Sequence, residues 1–278
     1  MLSPMDPLMD AFQPWLTCWR LVPDGAAFTT RFDSHLLPVL SEGRPAILKI
    51  AAGEEEIRGG ELLAWFGGDG AVRVFAREGA AILMERASGP DSLAGMARAG
   101  RDDEATRILC RCATALHVKR ETPLPGSLVP LDIWYRALVR GAAQRGGIFA
   151  RALPVANALL AQQTDIVPLH GDFHYENVLD AGPRGWLVID PKGLVGERAF
   201  EFANLFRNPD AATALAPGRL RAQLEIVCRE ARLEPRRLLE WIFTYAALGA
   251  VWSIDVGHDD EASAGIAIAE LAESELQK

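Results

Sequence analysis

Several signatures that would fix a chemistry at once are missing from this chain. It contains no G-x-G-x-x-G and no Walker sequence, which excludes a P-loop enzyme. Its four cysteines, Cys18, Cys110, Cys112 and Cys228, form no C-x-x-C pair and no zinc spacing. Cys110 and Cys112 stand two apart in a predicted helix and so face different ways, which suits reduced, mostly buried thiols in a cytoplasmic protein. Basic residues are outnumbered, 29 Lys and Arg against 37 Asp and Glu, for a net charge of −8. That balance argues against a nucleic-acid binder, which needs a basic face. No apolar run reaches the roughly 20 residues that span a bilayer. The most apolar stretch, Trp241 to Ile254, is 14 residues and is interrupted by Thr244 and Ser253. The opening MLSPMDPLMDAF has neither a basic n-region nor a continuous apolar centre, so no secretory signal is expected. Repeats and low-complexity blocks are absent too.

What remains is an ordinary soluble composition, 278 residues with 49% hydrophobic and 24% charged. Residues up to about Trp19 read as a loose, proline-punctuated lead-in. Short strands follow at Phe28–Thr30, Leu36–Leu40 and Ala46–Ile50, with Ser41-Glu42-Gly43 as the turn that delivers Lys49 at the end of PAILK. Glu54 to about Phe66 turns helical, with Ile57, Leu62, Leu63 and Phe66 on the apolar side. Gly59 and Gly60 inside it each cost about 1 kcal/mol relative to Ala, which suggests a close neighbour. Strands return at Ala71–Phe75 and Ala80–Glu85, and Ser88-Gly89-Pro90 then opens a helical regime. The expected architecture is α+β in two lobes: residues 1–86 with a small antiparallel five-stranded sheet and one helix, and residues 87–278 mainly helical.

The chemistry concentrates in Leu169 to Pro191, LHGDFHYENVLDAGPRGWLVIDP. Asp172 and Asn177 stand five apart in a predicted loop, and Asp190 ends the second strand of a hairpin. Protein-kinase-type enzymes use this arrangement, because phosphoryl transfer asks the protein to align a hydroxyl and neutralise charge rather than to form bonds. Asp172 would orient the hydroxyl or accept its proton. Asn177 and Asp190 offer the hard oxygens that Mg²⁺ prefers. A polar turn followed by a solvated strand end is the bland alternative. His170 and His174 are read as scaffold for the loop, not as a metal pair, since Gly171 argues against a helix there.

Lys49 ends an apolar strand and precedes a helix rich in glutamate, the setting of a lysine that grips the α- and β-phosphates of ATP. Helical phase places Gly59 in the inward slot, so Glu56 or Glu61 must reach in, and Glu56 is the choice. Phosphates would be covered by the turn Thr29 to Ser34, or by the chain just before the strands at Gly25, through backbone N–H groups and the Thr29 or Thr30 hydroxyls; an ordinary hairpin turn is the alternative. By position, the strand end at Met84, Glu85 and Ala87 is the hinge that would meet adenine.

With these residues in view, the chain resembles the aminoglycoside phosphotransferases, in the streptomycin 6-phosphotransferase and hydroxyurea-resistance branch. The stretches that carry the resemblance are PAILK, GDGAVRVF, HGDFHYENVL, RGWLVIDPKGLVGE, FEFANLFRNP and PRRLLEW. The resemblance implies a protein-kinase-like fold and an ATP- and Mg²⁺-dependent transfer to the 6-hydroxyl of streptomycin. It makes Asp172 the catalytic aspartate, Asn177 and Asp190 the magnesium ligands and Lys49 the ATP lysine. The one departure is the helix glutamate, whose usual slot falls near Gly59. A monomer is expected, with a small cationic aminocyclitol as its partner and no nucleic acid or membrane. Guanidinium groups want planar carboxylates; Glu197 and Glu201, i and i+4 on a predicted helix, and Asp255 are the candidates. Another small alcohol, hydroxyurea, a protein side chain and a catalytically dead nucleotide module are the competing readings.

Overall fold

The structure, a computed structural model, describes residues 7–31 and 33–278. The first described element is a helix, α1 (Pro7–Cys18), where the sequence suggested a loose lead-in. Pro14 lies inside it and removes one backbone donor, a cost that burial overrides here. Phe12 and Leu16, one turn apart, share a face and are both buried.

That face covers a small antiparallel sheet. Its strands are β1 (Leu21–Pro23), β2 (Phe28–Thr29), β3 (His35–Ser41), β4 (Arg44–Ile50), β5 (Val74–Glu78) and β6 (Ala81–Glu85). Five run in the order β1-β3-β4-β6-β5, and the two-residue β2 pairs with β3 beside that path. The β3–β4 turn is a two-residue loop, Glu42 and Gly43, both at positive φ (50° and 76°), as a tight hairpin with right-handed strands requires. Alternation along the strands sorts the side chains. Leu37, Val39, Ala46, Leu48 and Leu83 face α1 and form one cluster with Phe12 and Leu16. Ile47, Ile82 and Met84 face the other way, and Lys49, in phase with Ile47, goes with them. The expected strand at Ala71 begins three residues later, at Val74. Residues 70–72 pair instead with the hairpin that carries Asp190: Val72 N–H donates to Val188 at 3.1 Å and Val188 N–H to Gly70 at 3.0 Å.

Helix α2 (Glu54–Phe66) buries Gly59, Leu62, Leu63 and Phe66. The close neighbour of Gly59 is the backbone of Pro191, whose carbonyl a Cβ would overlap. After β6 the chain becomes helical, with α3 (Asp102–Leu116), α4 (Arg136–Arg145), α5 (Gly147–Ala161), α6 (Arg219–Ala231), α7 (Pro235–Asp255) and α8 (Asp259–Leu276) as its long elements. Helix α5 begins well before Pro154, which it contains. Pro235 occupies the first turn of α7, where a missing N–H costs nothing, and the Glu234 carboxylate caps the next two N–H groups. Helix α7 is buried over most of its length and forms the spine of this part.

Five short strands thread the helices. β7 (Val129–Pro130), β8 (Ile166–Leu169) and β11 (Leu194–Glu197) make a three-stranded sheet with β11 in the middle, and β9 (Val178–Asp180) pairs with β10 (Trp186–Val188) as a hairpin. The larger hydrophobic core joins α2 and the inner face of the first sheet to this helical part. Packing therefore holds the two parts together along the line where a cleft opens. Among the described residues no helix is long and apolar enough to cross a membrane.

Candidate active site

The strand β8 ends at Leu169, and the next eight residues form a loop tied to its surroundings almost atom by atom. His170 is buried; its Nε2–H donates to the Ile189 carbonyl at 2.6 Å, and its Nδ1 accepts from the Asp172 N–H at 3.2 Å. Burial lowers the His170 pKa, so the ring is neutral with its proton on Nε2. Gly171 has a φ of 84°, and a Cβ there would strike Leu194. Both histidines serve as scaffold: His174 accepts the Glu176 N–H on Nδ1 at 3.2 Å.

The turn brings Asp172 and Asn177 together. The Asn177 amide donates to the Asp172 carbonyl at 2.8 Å and to its carboxylate at 3.3 Å. A second amide, from Asn204, donates to the other carboxylate oxygen at 3.0 Å. Burial pushes the Asp172 carboxyl up, but His174 and the Lys192 ammonium together outweigh it and hold the group below the usual carboxylate range. Asp172 is thus an ionised acid pinned between two amides.

Asp190 lies just past β10, at a φ of 56°, a left-handed conformation that Asp tolerates better than most residues. Its Oδ1 accepts from Lys49 Nζ at 2.5 Å. Lys49 also lies 3.3 Å from Glu56, and Glu56 in turn accepts from the Ser34 hydroxyl. Glu61 points elsewhere, to Arg77 and Ser127. Of the two glutamates left open by the sequence, Glu56 is therefore the one beside the lysine. Burial would raise the Asp190 pKa, yet Lys49 and Lys192 more than offset it and lower it. Lys192 has Glu55 at 3.3 Å and Asp190 at 4.0 Å; burial opposes its charge, and Asp190, Asp172 and Glu55 overcome that and raise its pKa.

The remaining expected residues divide. Thr30 lines the same cleft as Asp172, Asn177 and Asp190, and its Oγ1 accepts from the Ser34 N–H at 3.2 Å. Thr29 is taken up by His35, at 3.1 Å. Phe32, within the expected phosphate-covering turn, lies outside the described residues. Met84 faces the Lys49 side of the sheet, in a small hollow with Glu56 and Asp190. Glu85 uses its own N–H on the Arg73 carbonyl (2.8 Å) and its carboxylate on the Arg73 N–H (3.0 Å) and Arg184. Ala87 follows on the connection that runs to the β9 strand, where Gly89 N–H bonds Asp180.

Two expectations are corrected, those for Glu197 and Glu201. Glu197 ends β11 rather than standing on a helix, and it accepts from Arg237 at 2.5 Å, Trp241 Nε1 at 3.0 Å and the Thr164 N–H at 3.3 Å. Glu201 lies in the 3₁₀ helix Arg198–Arg207 and accepts the His170 and Gly171 N–H groups at 2.7 and 3.0 Å, with His117 at 3.2 Å. With 3% and 0% of their side chains exposed, neither can meet a substrate. Asp255 is exposed at the end of α7 and pairs with Arg145 and Arg140 at 3.2 and 3.7 Å. Sequence reasoning missed Asn204 and Lys192; the only signal was their place in the FANLF and DPKG runs, which carried the resemblance without a role.

Two cavities meet at Asp172. A cleft of about 840 Å³ holds Asp172, Asn177, Asp190 and Asn204 together with the acids Glu176, Asp210, Asp260 and Glu261. A second cavity, about 570 Å³, is walled by Trp134, Trp252, Tyr245, Glu55 and Lys192. Trp252 and Tyr245 line both. An ionised acid facing two voids, one rich in carboxylates and one in aromatic faces, can present a hydroxyl of a cationic molecule to whatever lies over Asn177 and Asp190.

A streptomycin 3''-kinase of Klebsiella pneumoniae is 48% identical over 256 residues, covering 90% of this chain and 95% of that protein. A streptomycin 6-kinase of Streptomyces griseus is 31% identical over 270 residues, covering 91% and 85%. Among solved structures, aminoglycoside phosphotransferase APH(4)-Ia superposes with a TM-score of 0.69 at 13% identity, over 95% of this chain and 97% of that one, a likeness of fold. The fold is the protein-kinase-like one, with a β-sheet lobe and a helical lobe. The family model described as aminoglycoside/hydroxyurea antibiotic resistance kinase matches residues 18–257, nearly the whole described chain, and it is to this kinase family that the chain belongs.

Proposed function

We propose that this protein is an O-phosphotransferase that moves the γ-phosphoryl group of ATP, with Mg²⁺, onto a hydroxyl of streptomycin, acting as a cytoplasmic monomer. The observation that carries the reading is Asp172, ionised, held by the Asn177 and Asn204 amides, and open to a cleft walled with acids. The residues fit a magnesium site. Asn177 uses its Nδ2 on Asp172 and keeps its amide oxygen to offer, and Asp190 adds a carboxylate in the same cleft. Two protein oxygens with the rest from phosphates and water is the usual arrangement for Mg²⁺, which there would neutralise charge on the phosphates.

Residues 1–86 would hold the nucleotide through Lys49, fixed by Glu56, with Thr30 at the phosphates and Met84, Glu85 and Ala87 at the base. Residues 87–278 would hold the acceptor. In the transfer, the acceptor oxygen forms a bond to the γ-phosphorus while the bond to the β-bridging oxygen breaks, its electron pair leaving on ADP. Asp172 orients the hydroxyl and takes its proton late. A carboxylate held well below its ordinary range is a weak base, which suits a loose transition state in which alignment matters more than early deprotonation.

Streptomycin carries guanidinium groups on one ring and a methylamino sugar at its other end. The 48% identity to a 3''-kinase, against 31% to a 6-kinase, supports the 3''-hydroxyl, on the sugar, as the acceptor. The 6-hydroxyl suggested by the sequence motifs is the second reading, favoured by the carboxylates of the larger cleft. A coupled ADP-release assay against streptomycin, hydroxyurea, kanamycin and choline tests the acceptor, and NMR of the phosphorylated product tests the position. Turnover with streptomycin and a phosphate on the 3''-oxygen is expected; turnover with choline alone would sink the reading.

A further inference from the structure

One guanidinium in the cleft has no task in the scheme above. Arg207 closes the 3₁₀ helix Arg198–Arg207 and lies half-buried in the wall that also holds Asp172, Asn177 and Asp190. Among the described residues its guanidinium makes no hydrogen bond and no ion pair; it rests over the ring of Tyr245, 5.9 Å from the centroid. Three acids of the same cleft pair elsewhere. Asp210 and Glu176 meet Arg98 at 2.8 and 3.9 Å, and Glu261 meets Arg31 at 2.9 Å.

The site of this arginine is built. Gly249, buried in α7, faces it directly, and a Cβ there would overlap Nη1 and Cζ of Arg207. Glycine in a helix interior costs about 1 kcal/mol against alanine, so the notch is kept against helix propensity. In a 3₁₀ helix residues i and i+3 eclipse, which puts Arg207 on the same side as Asn204, the residue whose amide holds Asp172. A fixed, unpaired fork of N–H donors thus lines the cleft that Asp172, Asn177 and Asp190 share.

For a cationic acceptor such a group is a liability in the ground state. Its charge becomes useful when the acceptor oxygen receives a phosphoryl group, whose planar array of oxygens matches a guanidinium. We propose that Arg207 is a further catalytic residue, which binds the phosphoryl group as it reaches the acceptor oxygen and on the phosphorylated product. The inference rests on the phosphotransferase reading above.

Four variants test it: Arg207→Gln, Arg207→Lys, Gly249→Ala and the double Arg207→Gln/Gly249→Ala, each checked for an unchanged thermal transition. Relative to wild type, Arg207→Gln should lower kcat about 100-fold, as for loss of one preorganised donor, with KM for the acceptor unchanged or lower. Arg207→Lys should recover part of the loss. Gly249→Ala leaves the arginine but closes its notch and should reproduce most of the defect, and the double variant should fall no further than Arg207→Gln. Multiplying defects, a kcat within twofold of wild type, or a raised KM at normal kcat would each overturn the proposal. A second measurement needs no acceptor: MgADP with aluminium fluoride, bound by calorimetry, should bind at least about tenfold more weakly to Arg207→Gln. If wild type fails to phosphorylate streptomycin while this difference persists, the acceptor choice fails and the role of Arg207 stands; equal fluoroaluminate binding in both proteins sinks the role of Arg207.

Discussion

Asp172 and Asp190 lie before Pro191, Glu197 and Glu201 just after it, and the two pairs of acids live differently. The side chains of Asp172 and Asp190 are 30% and 32% exposed, those of Glu197 and Glu201 3% and 0%. The first pair is held by long lysine side chains and by amides on the wall of a cleft. The second is held by backbone N–H groups, an indole and an arginine that is itself bonded to the Leu159 and Gln162 carbonyls. A ligand can replace a lysine or an amide at a cleft wall; it cannot replace a peptide N–H in the core. Acids of the first kind are available for chemistry, and acids of the second kind set the shape around it. Glu201 joins the two pairs, since the N–H groups it accepts belong to His170 and Gly171, one and two residues before Asp172.

If the comparison holds, the largest effect is on the first pair. Asp172→Ala should reduce kcat by about 10³- to 10⁴-fold, the range for losing a positioned general base and its alignment, while the thermal transition stays near that of wild type. A variant with full turnover would break the distinction at its stronger end. The reverse pattern is expected for Glu197→Ala. Removing one partner of a buried ion pair leaves Arg237 and the Trp241 N–H without their acceptor, a loss of about 3–5 kcal/mol in urea unfolding. Protein that stays folded should keep its kcat; loss of kcat at unchanged stability would move Glu197 to the catalytic side.

Glu201 gives a smaller, pH-dependent effect. Burial raises its pKa, but the hydrogen bond from His117 and then the Gly171 N–H more than compensate and lower it. A group with a depressed folded pKa stabilises above its unfolded value, about 4.3 for Glu, and the contribution fades as pH falls through the folded pKa. Glu201→Gln should therefore cost about 1–3 kcal/mol at pH 7, the penalty of an imperfectly satisfied buried N–H. The two proteins should converge in stability below pH 4. A gap that stays constant down to pH 3 would mean that Glu201 carries no charge in the folded protein.

The ease of reading each pair followed from chain locality. Asp172, Asn177 and Asp190 were visible in the sequence because one loop and one hairpin bring them together, and a five-residue spacing survives as a motif. The sheet was visible through alternation and turn residues, down to the Glu42-Gly43 loop. The partners of Glu197 and Glu201 come from α7 and from the β8 end, 40 and 31 residues away, which no local spacing encodes. The segment from Arg198 to Arg207 also folds as a 3₁₀ helix, so the i,i+4 geometry of an α-helix did not apply. Gly59 was flagged as needing a neighbour, and the sequence named the right helix without the Pro191 carbonyl it touches. Helix α1 was hidden by its prolines, because the benefit of burying Phe12 and Leu16 appears only once the sheet exists.

Asp255 provides the finest test, because it belongs to neither pair. It sits at the C-terminal end of α7, where a negative charge opposes the helix dipole, and Arg145 and Arg140 offset that from the surface. Exposed pairs of this kind contribute about 0–1 kcal/mol, and here the unfavourable dipole subtracts from that. Asp255→Ala should thus shift stability by no more than about 0.5 kcal/mol in either direction, and leave kcat and the acceptor KM where they were. A raised KM for streptomycin with kcat intact would show that an acid paired on the surface can let go of its arginines for a guanidinium ligand. Exchangeable partners alone would then mark a functional acid, and a place on the cleft wall would not be required.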